Sequence, residues 1–257
     1  VIDLLSDHTG FLKSKGEARR ELQQNAISIN KEKVEGEVMD IAQGTCFRDP
    51  ISIIAGEYED AKDSDIVIIT SGIARKPGQT RIELTQTNVN ILKSITPEIV
   101  KVAPHALYII VSNPVDIMTY VFTKISGLPE NQIMGSGTIL DTARLRYGLS
   151  EHFKVAQGNI HAYVFGEHGD TSFIPWTGAY ISGLSTDEYY EEMKAHGKDV
   201  KPLDKEAMLE YVQKPGGQVI AKKGATFYAV SAMVCQLVSL LLAASDSIAT
   251  VSSMLHG

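Results

Sequence analysis

His168, in the run Gly166-Glu167-His168-Gly169-Asp170, stands downstream of Asp141 and Arg144, and the three residue types together suit one kind of chemistry. An imidazole exchanges a proton near neutral pH, and a carboxylate orients the ring and stabilises its charged form. A guanidinium grips a substrate carboxylate through two parallel hydrogen bonds. A proton donor beside an anion clamp is what reduction of a 2-keto acid needs. Each piece alone has an ordinary reading: a lone histidine is more often a satisfied core or turn residue. Asp141-Thr142-Ala143-Arg144 also reads as a capped helix start. The glycines near His168 shift the balance, because they let backbone approach a ligand closely.

Two further segments carry polar groups of the right kind. Lys76-Pro77-Gly78-Gln79-Thr80-Arg81 has the composition of a mobile loop, read either as a solvated turn or as a lid that brings Arg81 over a substrate carbonyl and excludes water. Ser112-Asn113-Pro114-Val115-Asp116 is a plain turn after a strand, or a place where Asn113 bonds a substrate oxygen.

The elements that must position these groups alternate. A charged stretch at 13–24 able to form a helix, a short apolar run at 26–29, a helical stretch at 34–41 and a strand over 51–55 precede the β-branched run 65–70. That run reads as a parallel strand buried on both faces. A long helix to about Val102 and a strand over 107–111 follow. Strands alternating with helices predict an α/β fold, a Rossmann-like doubly wound parallel sheet with ligand chemistry beyond the strands' carboxyl ends. After Gly135-Ser136-Gly137 the character changes: a helix from Asp141, a strand over 159–165, a charged stretch to Lys205, and a long final helix from about Gly216. The change of character places a domain boundary near residue 136, between a doubly wound part at 1–136 and an α+β part at 137–257.

Composition sets the outer bounds. With 257 residues the chain can bury a sizeable core, and its net charge of −7 argues against nucleic acid as a partner. Cys46 and Cys235 are the only cysteines, distant and in no metal-like spacing, which fits a reducing compartment. The apolar run 229–244 contains Ser231, Gln236 and Ser239; it is too polar for a confident membrane span and reads as a buried helix. The expected address is the cytoplasm, with no membrane partner and no metal.

Gly135-Ser136-Gly137-Thr138-Ile139-Leu140-Asp141-Thr142-Ala143-Arg144, His161-Ala162-Tyr163, Gly166-Glu167-His168-Gly169-Asp170-Thr171 and Lys222-Lys223-Gly224-Ala225-Thr226 resemble bacterial L-lactate dehydrogenases of the lactate/malate dehydrogenase superfamily. The resemblance runs from about Asn30 to Gly257. It implies an NAD-dependent exchange of L-lactate and pyruvate. His168 would be the proton donor, Asp141 its orienting partner, Arg144 the carboxylate clamp and Arg81 the loop arginine that polarises the carbonyl. Arg75, Asn113 and Thr226 would complete the substrate site. Cofactor contacts would be Ser28, Lys33, Tyr58, Gly72, Ile73, Ser94, Val111, Ser112, Asn113 and Ser136. Arg146 and His161 match positions that bind fructose 1,6-bisphosphate at a subunit interface in allosteric members, implying a homotetramer that takes this activator.

The chain departs from that pattern at three places. No Gly-x-Gly-x-x-Gly phosphate cradle opens it, residues 1–25 match no family motif, and it reads as a shortened copy of a longer enzyme. Ser28 stands where the family carries an aspartate on the adenosine ribose, which loosens the preference for NAD over NADP. Arg75 stands where lactate-type members carry glutamine, and a guanidinium there suits a second carboxylate, as in malate. Malate dehydrogenase is therefore one alternative, and a silent fragment unable to dock the dinucleotide is another.

Overall fold

The computed structural model describes residues 32–47, 51–73, 81–224 and 226–256. The helical reading of 13–24, the apolar run at 26–29, Ser28, Arg75 and most of the lid loop lie outside them, as do the side chains of Lys33 and Arg81. The chain divides into two compact units, 1–62 and 63–257. In the first, helix α1 (Glu32–Gln43) carries the expected helical stretch, and 3-10 turns cover Thr45–Phe47 and Tyr58–Ala61.

The second unit holds two sheets. Strands β1 (Ile66–Ile69), β2 (Leu107–Ile110) and β3 (Ile133–Gly135) run parallel in the order β1-β2-β3, with Ile66 opposite Leu107 and Tyr108 opposite Ile133. Helices α2 (Arg81–Val102) and α3 (Val115–Ser126) make the two crossovers and pack on each other. Right-handed connections between strands in sequential order place both on one face. Between them and the sheet lie Leu92, Met118, Phe122 and Ile110, all fully buried, while Ile109, one residue back on the strand, is buried on the opposite face. Tyr108 packs its ring 5.0 Å from that of Phe122 and donates its hydroxyl to the Ala103 carbonyl. Burial pushes the pKa of that phenol up.

Helix α4 (Ile139–Phe153) then leads to a small antiparallel sheet of β4 (Ile160–His161), β5 (Tyr180–Ile181) and β6 (Leu184–Ser185). Four helices follow: α5 (Thr186–Ala195), α6 (Lys205–Gln213), α7 (Pro215–Lys223) and α8 (Tyr228–Leu241). Ser185 and Glu188 form a reciprocal capping box on α5, and Asp204 caps α6, so local polar chemistry fixes both starts. Leu145, Leu149 and Phe153 of α4 bury against Ile160, Ile181 and Val212, seating α4 between the small sheet and α6.

Several expectations fail for physical reasons. Residues 51–55 form no strand; no described segment pairs with them, and Ile51 and Ile54 are exposed. Strand β1 is not buried on both faces: Ile69 is inside, but Ile68 is 41% exposed. The strand over 159–165 shrinks to β4 and an isolated bridge between Phe165 and Phe173. The long final helix is two, because Gly224 at φ +85° closes α7. Of α8, only Met233 and Leu237 are buried, so the apolar run is not the buried helix it resembles.

Candidate active site

The first turn of α4 sets the site. Asp141 lies there, where a carboxylate meets the positive end of the helix, and Arg144 follows three residues on along the same face. Arg144 Nη1 donates to Asp141 Oδ1 at 2.9 Å. The Asp141 side chain is only 5% exposed and that of Arg144 18%, so the pair sits out of bulk water. At the start of α7, Gly216 passes beside Arg144: a Cβ there would lie 3.6 Å from Nη2, an ordinary contact.

A loop delivers the histidine to Asp141. Thr138 donates its hydroxyl to the Val164 carbonyl at 2.5 Å, and the Val164 N–H donates to Thr142 Oγ1 at 3.0 Å, fastening this strand-like segment along α4. The chain then turns at Gly166, whose φ of +89° suits glycine, and returns through the paired backbone of Phe165 and Phe173. A Cβ on Gly169 would meet only ordinary contacts with the Glu167 side chain, 3.8 Å away, so of the two glycines near His168 only Gly166 is demanded by the turn. Within the loop Thr171 donates to Glu167 and Ser172 to the Gly169 carbonyl. Gln213 of α6 braces its far limb through the carbonyls of Asp170 and Ser172.

The result is His168 Nδ1 at 2.6 Å from Asp141 Oδ2. With the proton on Nδ1 shared to the carboxylate, Nε2 is left to exchange a proton with a ligand. The hydrogen bond to Asp141 lifts the pKa of His168 above its ordinary value; burial and the Arg144 charge oppose this, and the charges of Asp141 and Asp116 add to it. One buried carboxylate thus serves both cations, each through a separate oxygen.

The second half of the site lies at the carboxyl ends of β1 and β2. Ser112 donates to the Ser71 carbonyl and the Val111 N–H bonds to Ile69, so the two strand exits are laced together. Asn88 of α2, itself buried, accepts from the Ile73 N–H and donates to the Asn113 carbonyl. A Cβ on Gly72 would press within 3.3 Å of the Asn88 carboxamide. Ser136 closes the row by donating its N–H to Ile110. Among the described residues, the buried Ser71 Oγ is the side-chain polar atom without a hydrogen-bond partner. A free hydroxyl, a bare glycine and exposed Asn113 at the carboxyl ends of parallel strands fit a dinucleotide laid across them, so this edge suits NAD.

Other expected residues stand elsewhere. Ser94 lies six residues beyond Asn88 on α2, roughly 9 Å along the axis, and donates to its own helix at Ile91. Thr226 sits half-buried between α7 and α8, with no described hydrogen bond to His168, Asp141 or Arg144. Tyr58 belongs to the first unit. Arg146 donates to the Ala162 carbonyl and stacks over Tyr163, next to exposed His161. Asn88 positions the site yet carries no sequence signal, and Thr138 and Thr142 enter only as members of a motif with no role of their own, since each acts on backbone atoms. Asp116 is the other such residue.

A parallel sheet with polar groups at its carboxyl edge, beside a buried carboxylate holding an imidazole and a guanidinium, defines an α/β enzyme that moves protons on small carboxylates. The chain belongs to the lactate/malate dehydrogenase family: the family's NAD binding domain matches residues 8–135 and its alpha/beta C-terminal domain residues 138–257. The first match reaches back into residues 1–25, which the motif reading leaves outside the family. The chain is 48% identical to L-lactate dehydrogenase 1 of Clostridium acetobutylicum over 231 residues, covering 90% of this chain and 73% of that protein. It is 46% identical to the L-lactate dehydrogenase of Acetivibrio thermocellus, covering 90% and 72%. The crystal structure of the minor L-lactate dehydrogenase of Enterococcus mundtii superposes with a TM-score of 0.82 at 33% identity, covering 89% of this chain and 72% of that one.

Proposed function

We propose that the chain catalyses the NAD-dependent interconversion of L-lactate and pyruvate, with His168 as proton donor and acceptor. The observation that carries this reading is the single buried carboxylate of Asp141, which holds His168 at 2.6 Å and Arg144 at 2.9 Å. When bound, NAD supplies the carrier for the hydride exchanged at the substrate carbon. Arg144 binds the substrate carboxylate through its guanidinium, fixing the carbonyl relative to the imidazole. Protonated His168 gives its Nε2 proton to the carbonyl oxygen during reduction and takes it back during oxidation. Asp141 stabilises the imidazolium and keeps the ring turned so that Nε2 faces the substrate. Ser71, Gly72, Ile73, Ser112 and Asn113 offer the polar edge for the dinucleotide, and Arg81, the first residue of α2, takes the role of polarising the substrate carbonyl that the resemblance gives it.

The division into a dinucleotide-binding part and a substrate part near residue 136 belongs to the same proposal, supported by the meeting of the two family matches between 135 and 138. So does a homotetramer activated by fructose 1,6-bisphosphate, supported by the nearness of Arg146 to His161. Regenerating NAD at the end of fermentative glycolysis in the cytoplasm is the role that goes with this activity. Malate dehydrogenase is not favoured: the relatives described above carry lactate names.

Comparing NADH oxidation with pyruvate and with oxaloacetate tests the assignment. A faster reaction with oxaloacetate would overturn it, and calorimetry with NADH separates an active site from a silent one. Adding the bisphosphate while following light scattering tests activation and assembly together.

A further inference from the structure

Asp116 has no part in the chemistry above, yet its carboxylate joins three distant stretches of chain. It stands in the first turn of α3, directly beyond Asn113 at the exit of β2. Its Oδ2 accepts the backbone N–H of His168 at 2.8 Å. Its Oδ1 accepts the hydroxyl of Ser252. Ser252 is itself fixed, since its backbone pairs with Gly135 at the end of β3 in both directions. The carboxylate is thus braced by the parallel sheet from two sides, at β2 through α3 and at β3 through Ser252.

The His168 loop is built mostly from bonds to itself: the Phe165–Phe173 pair, Thr171 to Glu167, and Ser172 to Gly169. Gln213 holds its far limb. Asp116 holds the limb that carries the histidine, and it does so at the main chain, while Asp141 holds the ring. A ring tied only at Nδ1 keeps freedom to pivot about that bond; a second tie at the residue's own N–H removes it. The donor satisfied this way is half-buried, so water is a poor substitute.

We propose that Asp116 is the positioning residue of the proton carrier: it fixes the backbone of His168 to the carboxyl edge of the parallel sheet, where the dinucleotide and substrate meet. This rests on the reading of His168 as proton donor. The charged groups facing the imidazole are Asp141 and Arg144 from α4 and Asp116 from α3, and Asp116 adds a smaller favourable charge for the imidazolium. Positioning and charge therefore come apart in different variants. Asp116→Asn keeps a side-chain oxygen for the His168 N–H and loses the charge. Asp116→Ala loses both, and Ser252→Ala loses only the outer brace.

The test uses the full chain and two readouts, the NMR titration of the His168 ring, assigned with His168→Gln, and steady-state reduction of pyruvate across pH. In Asp116→Asn the titration midpoint moves to lower pH and kcat falls about threefold. In Asp116→Ala kcat falls about tenfold or more, with the pyruvate KM within about twofold, because the tie serves the proton carrier and not the carboxylate clamp. Ser252→Ala stays within about twofold on both. A wild-type titration and kcat in Asp116→Ala would overturn the proposal, as would a loss in which kcat and Tm fall while KM rises, with no recovery in the asparagine variant. If the wild type does not oxidise NADH with pyruvate, the activity reading fails, while the titration still decides whether Asp116 holds His168.

Discussion

Replacing Asp141 by Asn tests the centre of the mechanism with the smallest change of shape. The substitution keeps the size of the side chain and removes the charge from an atom pair at 2.6 Å, in a site where the two side chains are 5% and 26% exposed. Hydrogen bonds to charged groups contribute roughly 1.5–3 kcal/mol, more when the partner is left buried without its acceptor. Pyruvate reduction starts from the imidazolium, so that loss shows as a smaller protonated, competent fraction of the enzyme at a given pH. It corresponds to a fall of about 10- to 150-fold in kcat for pyruvate reduction. The bond to Asp141 is also the largest cause holding the His168 pKa up. Without it, the limb over which reduction is lost as pH rises moves to lower pH. Steady-state reduction of pyruvate, followed through NADH over a range of pH, measures both. A kcat within about threefold of wild type with an unmoved limb would refute the assignment of Asp141 as the partner that stabilises the proton carrier.

The other expectations are narrower. Arg144→Ala should weaken pyruvate most, by about 100-fold in kcat/KM for a lost charge-assisted pair of bonds, and an unchanged KM would contradict its role as clamp. The folded-state pKa of His168 lies above its unfolded value, so the stability its protonation contributes is fully present below about pH 6.5 and lost as pH rises through the folded value. The Tm difference between wild type and His168→Gln should therefore shrink from mildly acidic to alkaline pH, and a constant difference would speak against the coupling. Gly137→Ala forces a side chain onto φ +50° and puts a Cβ 2.6 Å from the Ser252 nitrogen. The left-handed conformation alone costs about 1–2 kcal/mol, so thermal unfolding should show a clear drop in Tm.

His168, Asp141 and Arg144 were legible in the sequence because their roles depend on side-chain type and on spacing. Asp141 and Arg144 sit three apart on a helix, so the sequence places them on one face before any fold is known. The strands β1 and β2 were legible for a similar reason, as β-branched runs followed by polar turns. Asp116 was not, since the atom it binds is a backbone N–H that every non-proline residue carries. Asn88 bridges two loops in the same anonymous way. The apolar run at 51–55 misleads because a strand is defined by its partner, and α8 misleads because hydropathy says what prefers to be covered and not what covers it. The split between α7 and α8 turns on one glycine in a left-handed conformation, a choice of backbone angle that composition only permits.

The bond from Ser252 to Asp116 spans 136 positions of the chain, and it carries a consequence for the order in which the molecule assembles. Helices such as α2 and α4 close local contacts early and at little entropic cost, whereas a contact of this span waits until the intervening chain has been gathered. The outer brace of Asp116 thus closes late in folding. The same ordering runs in reverse on heating: the segment around Ser252 can open while the sheet persists, so the outer brace of Asp116 loosens before the fold that holds it.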